Sequence, residues 1–205
     1  MQNQLGSTYQ STPLRQIRGL YDDKTIRVYQ AYSDAIADAA LTHGTFVSPP
    51  FKMERMTWVK PSFLWMMYRS GWGLKDAGQS RILAIDISRE GFDWALAHSC
   101  LSHPDKSMSK EEWLKMKENT PVRIQWDPER DLHLQPQSYR AIQIGLSGLA
   151  VESYINEWIQ NITDITPLAK KIHDLVIEKQ LEYAQELLPN ETAYNAKPNN
   201  NQIKT

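Results

Sequence analysis

Pro61 sits inside the most aromatic stretch of the chain, Arg55-Met-Thr-Trp-Val-Lys-Pro-Ser-Phe-Leu-Trp-Met-Met-Tyr-Arg-Ser-Gly-Trp72, and fixes how that stretch can fold. Trp58, Trp65 and Trp72 recur every seven residues, a spacing that one continuous helix would turn into a stripe. A proline has no amide hydrogen to give and drives the residue before it towards extended backbone, so one helix is excluded. The block instead reads as a short strand at Trp58-Val-Lys60, a forced turn, and a helix capped by Ser62 that runs through Tyr68. Phe63, Leu64 and Met67 are expected in the core, whereas Lys60, Ser62 and Arg69 flank the turn and are candidates for a site.

From Lys52 to Trp72, Lys52, Arg55, Lys60 and Arg69 face a single carboxylate, Glu54. Large rings beside fixed cations suit a pocket for a planar, anionic ligand. The plainer alternative is a core hairpin and helix whose cations reach back to solvent.

A chain of 205 residues can bury one full core. The reading is a disordered segment over 1–14, a single globular domain over 15–189, and an Asn-rich disordered tail over 190–205. A net charge of −1 excludes a strongly basic wrapper of nucleic acid but leaves room for a local basic cleft. The first twenty residues contain no signal-like apolar run, and the longest apolar stretch, Phe63 to Tyr68, is too short to cross a bilayer. Cys100 is the single cysteine, so no internal disulfide can form. These features point to a soluble, cytoplasmic protein.

Alternating patterns predict strands at Thr25–Gln30, Arg81–Ile87, Val122–Trp126 and Arg140–Leu146, the last of them the final strand. Helices are expected after Ser33, after Ser88, and after the capping box Ser109-Lys-Glu-Glu112. Asp127-Pro-Glu-Arg-Asp131 reads as a turn. A helical pair follows, over about Ala150–Gln160 and from Thr166-Pro167 towards Pro189. The fold class is therefore α+β, a mixed central sheet flanked by helices with a C-terminal helical pair.

Neither the phosphate loop G-x-x-x-x-G-K-[ST] nor the dinucleotide fingerprint G-x-G-x-x-G is present. Gly145-Leu-Ser-Gly148 lies where a strand passes into a helix and could hold a phosphate, but reads more simply as a turn with Ser147 as cap. Asp127, Glu129 and Asp131 could chelate a hard cation, yet Arg130 lies among them and no metal is expected. Arg27 and Tyr29 share one face of their strand, opposite Ile26 and Val28, a face that borders either a polar cleft or water. Gln143 points away from Ile142 and Ile144.

Taken together, Tyr29-Gln-Ala-Tyr32, the 55–72 block, Gly91-Phe-Asp-Trp-Ala-Leu96, Val122-Arg-Ile-Gln-Trp-Asp-Pro-Glu-Arg-Asp131 and Ile142-Gln-Ile-Gly-Leu-Ser-Gly148 resemble the domain-of-unknown-function family 4291. The resemblance runs from about Arg15 to Pro189 and assigns no activity. A second resemblance, to the ADP-ribosyltransferase fold, implies NAD held in the cleft of a split sheet. In that fold a basic residue on an early strand, rings around the nicotinamide and an acid on a late strand form the site.

Carried across, Arg27 takes the first role, Trp65 or Tyr68 the second, and Gln143 the third position. Because Gln143 is no acid, Glu129 or Glu152 would have to oppose the oxocarbenium ion. The implied function is an NAD-dependent ADP-ribosyl or glycosyl transferase acting on nucleic acid. Arg27 and Lys60 would hold the pyrophosphate, with Tyr29, Ser62, Trp65, Tyr68 and Arg69 around the cofactor. The alternative is a non-catalytic module in which Trp58, Trp65 and Trp72 stack on the bases of a single strand and Lys52, Arg55, Lys60 and Arg69 hold its phosphates. A third reading makes the block core and the C-terminal helices a partner surface.

Overall fold

The computed structural model describes residues 12–106 and 108–196. In chain order its first half comprises β1 (Arg18–Gly19), β2 (Thr25–Tyr32), α1 (Asp34–His43), β3 (Thr57–Val59), α2 (Phe63–Ser70), β4 (Arg81–Ser88) and α3 (Arg89–Ala97). The second half begins with β5 (Ser99–Leu101), α4 (Lys110–Asn119), β6 (Val122–Arg130) and β7 (Pro136–Leu146). It continues with α5 (Leu149–Ser153), a π-helical turn (Tyr154–Trp158), β8 (Ile159–Asp164), α6 (Thr166–Ile177), α7 (Leu181–Glu186) and β9 (Thr192–Ala193).

Two sheets carry the architecture, one ordered β2-β4-β8 and the other β3-β7-β6-β5. β5 runs parallel to β6 and the other pairings are antiparallel, so the fold is α+β with a mixed sheet. The sheets meet where the Tyr29 amide donates to the carbonyl of Lys60 at 2.8 Å. β3 therefore leaves β2 just before Pro61 and pairs with β7, which opens a split between the sheets.

β4 is central and packed on both faces, as its β-branched run anticipates. Leu83, Ile85 and Ile87 join Ile26, Val28, Ala37, Ala40 and Phe92 in one core. Ile82 and Ala84 join Tyr29, Phe63, Met67, Trp72 and Ile172 in the other. α1 and α3 thus cover one face, and α2 and α6 the opposite one.

This two-faced packing corrects the reading of β2. Tyr29 is only 1% exposed and meets Phe63 edge-on, with centroids 5.6 Å apart, so its side chain is core rather than cleft or surface. Arg27 pairs through two nitrogens with Asp86 directly across the ladder, at 2.8 and 2.9 Å.

α2 forms as the Pro61–Ser62 sequence requires. Ser62 Oγ accepts from the Trp65 amide at 3.0 Å, and Gly71, at φ +56°, closes the helix. Phe63 and Met67 are buried as expected, with Leu64 partly so. The capping box at Ser109 and Glu112 also forms, but Ser33 makes no capping bond and the Ser147 hydroxyl donates to the Pro121 carbonyl.

Other expectations give way. The stretch 127–130 is strand rather than turn; the reversal comes at 131–135, where Asp131 Oδ1 accepts from the amides of His133 and Gln135. Pro128 is tolerated because β5 pairs with β6 only opposite Val122 to Ile124, so by Pro128 that edge is free. The anticipated helix over 150–160 ends in a π turn and becomes β8, an edge strand too polar to announce itself. Lys179, at φ +62°, divides the last helix into α6 and α7. The tail assigned to disorder from Asn190 supplies β9, paired with β1, and a buried Tyr194. The remainder of that tail, 197–205, and residues 1–11 of the N-terminal segment lie outside the described residues. No helix among the described residues is long and apolar enough to cross a membrane.

Candidate functional site

The split between the sheets is a cleft of about 920 Å³. Its walls come from the end of β2, the 50–56 loop, β3 with Lys60, the exposed side of α2, and the facing strands β6 and β7. Five cationic side chains line it, Lys52, Arg55, Lys60, Arg69 and Arg130, against one carboxylate, Asp127. Among the described residues none of the five forms an ion pair; the ion pairs belong to Arg27 and Arg81. Unneutralised positive charge in a concave site is a field for an anion.

Asp127 is held from both sides. Gln125 Nε2 donates to Oδ1 at 2.9 Å and Gln143 Nε2 to Oδ2 at 2.7 Å. Gln125 and Gln143 are direct cross-strand partners, so the pleat delivers both amides to the same face as Asp127. The carboxylate is thereby fixed on the cleft wall as an oriented anion.

A second polar network stands at the end of β2. Gln30 Nε2 donates to Thr57 Oγ1 at 2.7 Å, while its Oε1 accepts from the Tyr154 hydroxyl at 2.7 Å. The Tyr32 hydroxyl lies 2.9 Å from Thr57 Oγ1. Gln30 alternates with Tyr29 along β2, so the same pleat that sends Tyr29 into the core sends Gln30 to the cleft.

Aromatic surface comes from Trp58 and Tyr68, with Trp65 set in the wall at 4% exposure. Trp65 and Tyr68 stack with centroids 5.2 Å apart, and the Arg130 guanidinium rests 3.6 Å from the Tyr68 ring centroid. Trp65 Nε1 and Arg130 Nε are buried donors without a partner, each carrying a desolvation cost that an arriving acceptor could relieve after a small shift. Trp72 is spent elsewhere, buried at 4% exposure and stacked on His173. Trp58 and Trp65 share the cleft wall but Trp72 does not, so the three tryptophans do not form one platform.

Lys60 is the unusual cation. It is 6% exposed, and its Nζ donates to the Trp58 carbonyl at 3.2 Å. Desolvation, with the charge of Arg69 adding to it and that of Asp127 opposing, pushes the ammonium down to about 7.

Of the residues singled out from sequence, Lys60, Trp65, Tyr68, Arg69 and Gln143 converge on the cleft. Arg27, Tyr29, Ser62, Glu129 and Glu152 are not part of its wall. Ser62 and Glu129 instead bond to each other at 2.9 Å beneath α2. Nearby, Glu191 Oε1 accepts from the Phe63 amide at 2.7 Å. Burial pushes Glu129 up; burial, with the Glu129 charge adding to it, pushes Glu191 up to about 8. This carboxylate pair supports the start of α2.

The carboxylate that does face the cleft, Asp127, falls where the sequence predicts an acidic turn. Its signal was the alternation Gln125-x-Asp127, legible only if the strand continues into Pro128. The Asp127, Glu129 and Asp131 trio disperses to three separate sets of partners.

The chain belongs to the family defined by a domain of unknown function, DUF4291, whose profile matches residues 16–194. No curated protein matches it.

Proposed function

We propose that this DUF4291 protein binds a dinucleotide in the cleft and acts as an NAD-dependent ADP-ribosyl or glycosyl transferase, with nucleic acid as the acceptor to test first. The observation that carries the reading is the charge of the cleft: Lys52, Arg55, Arg69 and Arg130, none in an ion pair among the described residues, surround one carboxylate that two amides hold in place. Lys52, Arg55, Arg69 and Arg130 suit a pyrophosphate, and arginine can engage it through two N–H groups at once. Trp58 and Tyr68, the latter backed by Trp65, offer aromatic surface to a nicotinamide or adenine ring. Asp127 takes the role that the sequence reading sought in Glu129 or Glu152, opposing positive charge as it develops on the sugar.

In the reaction the bond between the ribose C1′ and the nicotinamide nitrogen breaks. Its electron pair stays with nicotinamide, which leaves neutral, and a lone pair of the acceptor forms the new bond to C1′. The preformed Asp127 geometry costs no reorganisation as the charge appears. The direct test is release of nicotinamide from NAD, alone and with single-stranded oligonucleotides. Release that disappears in Asp127→Asn supports the reading; no release from the wild type under any of these conditions removes it.

A further inference from the structure

We infer that Lys60 is the proton acceptor of this reaction, an uncharged amine facing the cleft that takes the proton from the attacking group, rather than an anchor for phosphate. The role rests on the transfer reading; the state of the amine does not.

Three features of its position argue for it. Lys60 is fixed at the backbone, between its carbonyl's bond from the Tyr29 amide and the ring of Pro61. Its side chain lines the cleft yet is nearly inaccessible, and it forms no ion pair. A buried ammonium without a counter-ion is held at high cost, and the protein can avoid it by giving up the proton. Lys60 Nζ makes one hydrogen bond, donated to the Trp58 carbonyl, and as an amine it keeps a lone pair to offer.

The surroundings reinforce this assignment. From α2 the facing charge is Arg69, from β6 it is Asp127 and Arg130, from the 50–56 loop Lys52 and Arg55, and from β2 the titratable neighbour is the Tyr32 phenol. Cations outnumber the single anion, which disfavours a further positive charge. Asp127 is already committed, with each oxygen accepting an amide hydrogen. In the step itself the acceptor's proton passes to Nζ, leaving an ammonium, as the acceptor's lone pair bonds to C1′ and nicotinamide departs with the electrons of the broken bond.

The test has two arms, both on the full chain. In the first, acetic anhydride labelling is followed by peptide mass spectrometry across pH 6 to 11, with exposed Lys75 as internal reference. Lys60 is expected to label half-maximally near pH 7, as its depressed value of about 7 requires. Labelling of Lys60 that rises only together with Lys75, or a Lys60 that stays unlabelled in the folded protein while Lys75 reacts, overturns the inference.

In the second arm, nicotinamide release and NAD affinity are measured for Lys60→Arg and Lys60→Met. A proton acceptor gives a loss of about 10²-fold or more in kcat for both variants. NAD affinity then stays within a few-fold, and the acidic limb of the pH profile flattens. Retention of activity in Lys60→Arg with loss of NAD affinity in Lys60→Met identifies a phosphate anchor and overturns the inference. If labelling finds the neutral amine but NAD neither binds nor reacts, the transferase reading fails and the assigned catalytic role fails with it, while the amine assignment stands.

Discussion

Gln143 donates to Asp127 Oδ2 at 2.7 Å across the ladder between β7 and β6, and this bond, with its counterpart from Gln125, turns an exposed-looking acid into a fixed element of the cleft. Asp127→Asn keeps the size of the side chain but removes the charge. NAD affinity is expected to change by less than about threefold, while nicotinamide release falls by about 10² to 10³, the scale for losing one electrostatic stabiliser. Gln143→Leu is expected to fall between wild type and Asp127→Asn. Steady-state kinetics beside equilibrium binding separate the two effects.

Arg55 is exposed on the rim of the cleft and supports nothing in the core. Arg55→Ala is expected to leave the unfolding midpoint unmoved while weakening nucleotide binding by about tenfold, the value of one charged hydrogen bond. The salt dependence of binding should become shallower in the same variant. Titration of NAD at two ionic strengths checks both.

Ser62 serves two partners, accepting from the Trp65 amide and donating to Glu129. Ser62→Ala removes the cap and is expected to destabilise the fold by about 1 to 2 kcal/mol. Urea unfolding reads this directly. Because Ser62 lies outside the cleft wall, kcat should move little in the folded fraction.

The pH dependence of stability has a sign that identifies its source. Glu191 is raised from 4.5 to about 8, so between these values the folded protein holds a proton that the unfolded chain has released. Its contribution is present at low pH and is lost as pH rises through that window. Glu191→Gln is expected to flatten the fall between pH 5 and 8, as followed by urea midpoints. Lys60 acts in the opposite sense and later, its depressed value making stability rise between about 7 and 10.5.

A Cβ at Gly145 would lie 2.6 Å from Met56 Sδ and 2.9 Å from Trp58 Cζ2. Both are cleft residues, so Gly145→Ala should push the loop and the indole outward. A loss of about 1 to 3 kcal/mol in stability is expected, together with weaker nucleotide binding. Denaturation and titration on the same preparation test the pair of effects.

Much of the framework was legible. β2, the β-branched run of β4 and the second half of β7 carry recognisable strand patterns, and Pro61-Ser62 dictates the strand-to-helix turn that the structure contains. What could not be read was which face of each strand would meet which neighbour. The alternation of Tyr29 and Gln30 was visible, but α2 packing decides that Tyr29 is core and Gln30 faces the cleft. Ser62 was recognised as a cap, yet its partner Glu129 is 67 positions away, and no local pattern announces that bond. Asp127 was hidden by Pro128, a turn signal in most settings, which an unpaired strand edge overrides.

The most direct measurement of the central claim is the thermal stability of the wild type and of Arg69→Ala with increasing NAD. Ligand at about 100 times its dissociation constant adds about 2.7 kcal/mol by mass action, a shift of several degrees. A cleft that binds NAD through its cations gives that shift in the wild type and a much smaller one in Arg69→Ala at the same concentration. An unfolding midpoint that stays fixed up to millimolar NAD, or one that rises equally in both proteins, contradicts it.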